Sequence, residues 1–452
     1  MLSHADLEAL SCSLPEGVLS LRYAGLFDRE RTLIDDMLSR PLPSLLRKRL
    51  EIEREASLRT EAEYTVSYDR MLTLMRARSP RFTAEELDAL IADGRADWRL
   101  REGRVFFHED CFEALHINAL RDIYHTGRAT TPEDDRTHAY RREILARMKR
   151  DGGLAMRHRI RHTVVPTPAA REPGRRILVH IPLPAETEGQ RNLRILDSTP
   201  GGFVSDAAQR TISFDTVDRG QDFFVEYSFE AVQSWIPADP AAVLLAQPKA
   251  FTGEEGPHIR FTPFLRALAR EIVGDEHNAL FRARRIYDWI TQNVRYSYMR
   301  NYLLFDNIPE FAALNRRGDC GVQALLFITL CRISGIGADW ESGLGLSPGR
   351  VGSHDWARYY VAPFGWLHAD LSRGGGALQE AGDEELWDFY ARCIGPERVI
   401  TCTAFQREFD PPRRYLRIDP FDSQSGEIEY EDRGLGSRER RSRRENLGSK
   451  VL

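Results

Sequence analysis

The stretch that decides the fold runs from Arg317 to Cys331 and reads RGDCGVQALLFITLC. Small and polar residues surround Cys320, and a strongly apolar run follows it. This pattern predicts a loop that turns into a buried helix headed by Cys320. Backbone amides and the positive end of the helix dipole favour a thiolate, so we expect the pKa of Cys320 to lie below the free value of about 8.5. The same amides are candidate donors to an oxyanion.

Two segments downstream supply polar residues that suit a thiol nucleophile. Residues 352–361 read GSHDWARYYV and predict a strand that contains His354. A Pro-Phe-Gly turn leads into a second strand, which ends at Asp370. A hairpin of this kind can set Asp370 beside His354, so that one ring nitrogen is held by the carboxylate and the other faces Cys320. The sequence therefore predicts a triad of Cys320, His354 and Asp370.

These segments resemble the transglutaminase-like superfamily over roughly residues 257–370, through three motifs in the same chain order: Gly-Asp-Cys-Gly at 318–321, His-Asp-Trp-Ala at 354–357 and Gly-Trp-Leu-His-Ala-Asp at 365–370. The resemblance implies a fold related to that of papain, in which a Cys-headed helix packs on a sheet bearing His and Asp. It also implies that Cys320 is the nucleophile, that His354 acts as general base and acid, and that Asp370 orients the ring of His354.

Aromatic residues near these motifs are the candidate substrate contacts. Tyr296 and Tyr298 occupy a region that precedes the nucleophile and can line the cleft in similar proteins. Trp356 follows His354 by two positions and is a further candidate, although such a tryptophan more often belongs to the core. The predicted substrate-binding residues are therefore Tyr296, Tyr298 and Trp356.

Changes of periodicity divide the chain. Apolar residues recur at helical spacing before the Asp151-Gly152-Gly153 boundary, and the period becomes two from about 157 to 232, where strands alternate with turns. Helical pattern returns before Cys320. We expect an α+β protein with a mainly helical N-terminal region at 1–152, an all-β, sandwich-like domain at 153–235, a transglutaminase-like (papain-like) catalytic domain at 236–430 and a charged tail at 431–452.

Composition excludes several classes of protein. An apolar fraction of 42%, a charged fraction of 29% and a net charge of -5 are typical of a globular protein and indicate no nucleic-acid partner. The N-terminus lacks signal-peptide character and no apolar run is long enough for a membrane span, which predicts a cytoplasmic protein without membrane contact. The basic run at 438–445 predicts a solvated, mobile end.

The cysteines predict reduced thiols rather than disulfides, because they are scattered without short-range pairing: Cys12, Cys111, Cys320, Cys331, Cys393 and Cys402. Cys331 shares the helix of Cys320 and is expected to be a neutral core thiol. No Cys/His spacing resembles a zinc site, and we expect neither a metal nor a cofactor.

The leading functional expectation is an acyl-transfer enzyme that acts on a peptide, protein or small-amide substrate. Cys320 would attack the carbonyl, form a thioester and pass the acyl group to water or to an amine. Hydrolysis by a peptidase or amidase is favoured over cross-linking, and the oligomeric state is left open. The alternative is a non-catalytic binding or assembly protein on the same scaffold, against which an intact triad argues.

Overall fold

The structure, a computed structural model, describes residues 2, 5–123 and 131–452, with the side chains of 118–123 excepted. Residues 124–130 of the region predicted to be mainly helical, 1–152, lie outside the described residues. The α-helices are α1 (Glu16–Ala24), α2 (Phe27–Leu38), α3 (Ser44–Glu63), α4 (Tyr68–Arg78), α5 (Ala84–Ala92), α6 (Cys111–Ile123), α7 (Pro132–Asp151), α8 (Pro263–Val273), α9 (Ala279–Asn293), α10 (Ile308–Asn315), α11 (Cys320–Ile333), α12 (Leu371–Ala381) and α13 (Glu384–Tyr390).

The strands are β1 (Val66–Ser67), β2 (Trp98–Arg101), β3 (Arg104–Phe107), β4 (Gly153–Pro166), β5 (Arg176–Pro182), β6 (Gln190–Ser198), β7 (Phe203–Ser205), β8 (Thr211–Val217), β9 (Phe223–Ser234), β10 (Arg295–Tyr296), β11 (Arg317–Gly318), β12 (Ala338–Ser347), β13 (Arg350–Val361), β14 (Gly365–Ala369), β15 (Arg398–Cys402), β16 (Glu427–Tyr430) and β17 (Arg440–Val451). Helices and mainly antiparallel sheets thus coexist, as expected for an α+β protein.

Two four-stranded sheets form a β-sandwich, with strand orders β17-β4-β9-β6 and β16-β5-β8-β7. Alternate residues of both sheets, such as Ile160 and Val179, meet in one buried core, as the period of two requires. Leu344 and Leu346 of β12 join this core. The sandwich is therefore continuous with the region that contains the cysteine motif.

The chain after residue 431 is not the mobile end that its charge predicts. β17 pairs antiparallel with β4 along most of its length, from Arg440 opposite Pro166 to Val451 opposite Met156. β16, which ends just before this segment, pairs with β5 at the edge of the second sheet. The expectation was wrong because an Arg-rich segment can form an edge strand, in which the backbone pairs with β4 while the charged side chains still reach solvent.

The helix headed by Cys320 lies against a four-stranded sheet of order β14-β13-β12-β15. The residues of α11 from Gly321 to Arg332 are buried, which explains why the sequence there is apolar on every face. Phe327 of α11 contacts Tyr359 of β13 edge to face, with ring centroids 5.6 Å apart. Cys331 is fully buried, where the sequence places a core thiol.

Within the described ranges 5–123 and 131–452, no helix is both long enough and apolar enough to cross a membrane.

Candidate active site

Cys320 is the first residue of α11, and the loop before it is fixed by capping bonds. The carboxylate of Asp319 accepts a hydrogen bond from the amide of Val322 at 2.9 Å and from the hydroxyl of Tyr302 at 2.5 Å. Gly321 must be a glycine, because a Cβ at this position would lie 2.8 Å from Asp355 Oδ2. The motif around Cys320 therefore encodes a helix cap and a close approach to β13.

The structure brings together His354 of β13 and Asp370, which directly follows β14. His354 Nε2 lies 2.8 Å from Asp370 Oδ2, while Asp370 Oδ1 accepts the amide of Arg373 at 3.0 Å and caps α12. The guanidinium of Arg398 forms a short hydrogen bond to the same Oδ2. Although burial opposes ionisation, His354 and Arg398 hold the pKa of Asp370 well below its usual range.

His354 is held as a neutral imidazole. Burial lowers its pKa to about 4, although the charge of Asp370 acts in the opposite direction. Because Nε2 is committed to Asp370, Nδ1 is the ring nitrogen that remains for a thiol or a substrate.

The thiol of Cys320 is placed differently from the sequence prediction. Its side-chain hydrogen bond within the described residues goes to Asp355 Oδ2 at 3.1 Å, and not to His354. Asp355 directly follows His354 on β13 and lies opposite Ser342 of β12. The sulfur therefore contacts the neighbour of the predicted general base, and the predicted bond between Cys320 and His354 is not formed in this arrangement.

The surroundings of Cys320 are acidic. Burial, then the carboxylates of Asp355 and Asp319, raise the pKa of the Cys320 thiol well above its ordinary value. Burial and Asp422 in turn raise the pKa of Asp355 well above its usual range. The expected thiolate is therefore wrong for this arrangement, because carboxyl groups, and not an imidazolium, lie against the sulfur.

Gln424 forms hydrogen bonds both to Asp355 and to the backbone of His354 on β13. Its Nε2 donates to the backbone carbonyl of His354 at 3.2 Å and makes a short hydrogen bond to Asp355 Oδ1. Asp422, two residues earlier, accepts the hydroxyl of Ser342 at 2.6 Å. A segment about 100 residues beyond Cys320 thus fixes how Asp355 faces the thiol.

A cleft of about 1130 Å³ opens beside His354. Its walls come mainly from α7, β10, α11, the β12–β13 hairpin and α12, and they include His354, Tyr296, Gln323, Arg141 and Arg373. A volume of this order accommodates a peptide-sized ligand. His354 of the predicted triad is therefore accessible from a large concave surface.

The predicted substrate-binding residues have three different outcomes. Tyr296 lines the cleft. Tyr298 is 40% exposed and contacts Tyr296 edge to face at 6.3 Å, but it is not part of the cleft wall. Trp356 has 0% exposure, and its Nε1 donates to Glu341 at 2.9 Å, so its assignment to substrate binding is wrong. A buried tryptophan with a satisfied N–H is a core residue.

Removing the carboxyl group of Asp355 should make Cys320 more reactive. Asp355→Ala deletes both the acceptor of the thiol and a nearby carboxyl group, so the pKa of Cys320 should fall, and each unit of decrease raises the thiolate fraction about tenfold. The rate of alkylation of the Cys320 peptide by iodoacetamide at pH 7, followed by mass spectrometry, measures the effect. Asp215→Ala on β8, where Asp215 pairs with Arg176, is the control. Equal rates for Asp355→Ala and wild type would contradict the role of Asp355.

Comparison with known proteins identifies part of the chain. Residues 266–371 match the family model described as transglutaminase-like superfamily. A candidate cysteine protease from Cytophaga hutchinsonii has a similar crystal structure, at 14% identity and a TM-score of 0.35, covering 66% of this chain and 90% of that one. The periplasmic domain of TgpA from Pseudomonas aeruginosa is similar at 15% identity and a TM-score of 0.28, covering 54% and 95%. No curated protein matches the sequence.

Proposed function

We propose that this chain, in which residues 266–371 belong to the transglutaminase-like superfamily, is a cysteine hydrolase that cleaves peptide or carboxamide bonds. The observation that carries the proposal is the His354–Asp370 pair at 2.8 Å on the wall of a large cleft, with Cys320 at the head of a buried helix nearby. A thiol, an imidazole and a carboxylate that holds the imidazole are the groups that nucleophilic catalysis by cysteine requires.

In the proposed reaction the sulfur of Cys320 attacks the carbonyl carbon of the substrate. The thiol first turns about its Cα–Cβ bond from Asp355 towards Nδ1 of His354, which takes the thiol proton. The C–N bond then breaks, and the proton leaves His354 with the amine. Water attacks the resulting thioester, releases the carboxylic acid and restores the thiol. Asp370 holds the ring by Nε2 throughout.

The charge states of the site favour a proton transfer that accompanies attack. Burial raises the pKa of Cys320 and lowers the pKa of His354, so both groups are expected to be neutral near pH 7. A neutral imidazole is ready to accept a proton, and the developing oxyanion can be received by backbone amides at the head of α11. The proposed site thus begins the reaction as a neutral thiol and imidazole pair.

We favour hydrolysis over cross-linking, because water needs no second binding site, whereas transamidation requires a cleft that admits an amine and excludes water. Peptide, glutamine and small-amide substrates, each with and without a primary amine, test the choice. Mass spectrometry should find carboxylic acid products in both conditions. Predominant amine adducts would assign the chain to transamidation, and no product from any substrate would favour the non-catalytic binding protein.

The pH dependence should report the buried histidine. The general base must be neutral, and burial places the pKa of His354 at about 4, so kcat/KM should rise through about pH 4 and be level at pH 5 to 7. An exposed histidine would give an acid limb near its ordinary value of about 6.5. Initial rates of hydrolysis from pH 3.5 to 8 decide between the two, with circular dichroism at each pH as the control for folding.

A further inference from the structure

Among the residues that the structure describes, the cleft beside His354 contains a cation without a partner. Arg141 of α7 lines the cleft, and its guanidinium forms no ion pair or hydrogen bond with the parts of the chain that the structure describes. Its Nε is buried and has no acceptor. Buried polar groups of proteins are almost always satisfied, and a guanidinium with an unmet donor in a cleft is suited to an anionic ligand.

Other cations of the same helix behave differently. Arg142 donates to Asp383 at 2.8 Å, Lys149 donates to Glu385 at 2.8 Å, and Arg150 donates to Asp151 at 2.8 Å. Carboxylates are therefore plentiful around α7, and the absence of one at Arg141 reflects the direction of its side chain towards the cleft. Arg142, one residue away and paired, offers a matched control.

Arg141 also lies close to the proposed catalytic pair. Burial, then the charge of Arg373, lower the pKa of Arg141, while Asp370 acts in the opposite direction, which places Arg141 within electrostatic range of both. Arg373 itself is neutralised by Glu397 at 2.7 Å and by its proximity to Asp370. Arg141 is thus a guanidinium that can bind an incoming acid beside His354.

The wall of the cleft also contains carboxylates. Glu133 and Asp135, in the first turn of α7, belong to its wall. Asp135 precedes Arg141 by six residues, which is about 9 Å along a helix at about 1.5 Å per residue. A polyanion such as nucleic acid would be repelled there, whereas a ligand with one terminal carboxylate can bind at Arg141 and extend along the cleft.

We propose that Arg141 binds the terminal carboxylate of the substrate, so that the amide attacked by Cys320 belongs to the last residue of a peptide. This inference rests on the proposed function for the bond that is broken, but it makes a separate statement about binding. In a peptide the terminal carboxylate lies one residue, about 3.8 Å, beyond the carbonyl carbon under attack, so the cation must lie close to the catalytic histidine. The leaving group is then a free amino acid.

Binding can be tested without turnover by using Cys320→Ala protein. An acetylated tripeptide library with free C-terminal carboxylates is mixed with the same library in amidated form, and the peptides retained by the protein are quantified by mass spectrometry after ultrafiltration. A bidentate pair of charge-assisted hydrogen bonds between Arg141 and the carboxylate should enrich the free acids over the amides by about 10- to 100-fold. Adding Arg141→Gln should bring the ratio near one, and Arg141→Lys should give an intermediate ratio because it keeps the charge but loses the fork.

The paired residue Arg142 controls for a general loss of positive charge, and Arg142→Gln should keep the enrichment of the parent. Circular dichroism confirms that each variant is folded. Equal retention of acids and amides by the parent, or unchanged enrichment in Arg141→Gln, would overturn the proposal. Inorganic phosphate that displaces both libraries equally would also overturn it, by assigning Arg141 to anions in general. Enrichment without any hydrolysis by the wild type would leave the carboxylate site standing and reject the proposed function alone.

Discussion

Replacing Cys320 by alanine is expected to lower kcat by about 10⁴- to 10⁶-fold, because no other group at the head of α11 can form the thioester. Without the nucleophile, backbone amides and substrate binding still stabilise the transition state for attack by water, so a small residual rate is expected. Release of the amine product under single-turnover conditions measures the loss for the substrate identified by the screen.

Cys12→Ala is the matched control, since Cys12 is a half-buried thiol far along the chain from the cleft. Its kcat should equal that of the wild type. A Cys320→Ala protein that is folded and retains wild-type kcat would remove Cys320 from the reaction, and the binding-protein interpretation would then be the better one.

Asp370→Asn should have two large effects. Its buried carboxylate faces His354, Arg398 and Arg373, and loss of one partner from such a cluster leaves uncompensated buried charge, which costs about 3–5 kcal/mol of the free energy of unfolding. The ring of His354 also loses the acceptor that holds it, which should lower kcat by about 10⁴-fold. Urea unfolding and single-turnover rates measure the two effects separately.

Asp215→Asn is the control for stability, because Asp215 and Arg176 form a solvent-exposed pair worth at most about 1 kcal/mol. The pH dependence supplies a further check. The folded-state pKa of Asp370 is depressed, so its contribution to stability is present above the unfolded pKa of about 3.9 and is lost as the pH falls towards the folded value. An Asp370→Asn protein as stable as wild type at pH 7 would contradict this account.

Local pattern in the sequence was enough for the elements that carry the predicted triad. The apolar run after Cys320 predicted α11, and the turn at 363–365 predicted the β13–β14 hairpin that joins His354 to Asp370. The helix and the hairpin each depend on residues within about twenty positions of one another in the chain. Hydrophobic periodicity and turn residues predict local structure of this kind well.

The features that the sequence did not predict depend on distant partners. Arg398 reaches Asp370 from β15, and Gln424 orients Asp355 from a loop near the end of the chain. Neither residue stands in a motif, so no local signal marked it. The thiol environment was mistaken for the same reason, because the charge around Cys320 is decided by which carboxylates the tertiary fold brings to it.

The pairing of β17 with β4 has a consequence for how this protein can be divided. The residues between the two strands include α11 and the β13–β14 hairpin, whereas α7, which also lines the cleft, precedes β4. The segment that contains Cys320, His354 and Asp370 is thus inserted between two paired strands of the β-sandwich. A single cut between β4 and β17 separates these two strands, and neither fragment then contains a complete sandwich. Dissection of the two parts requires excision of the inserted segment and a new link between the flanking strands.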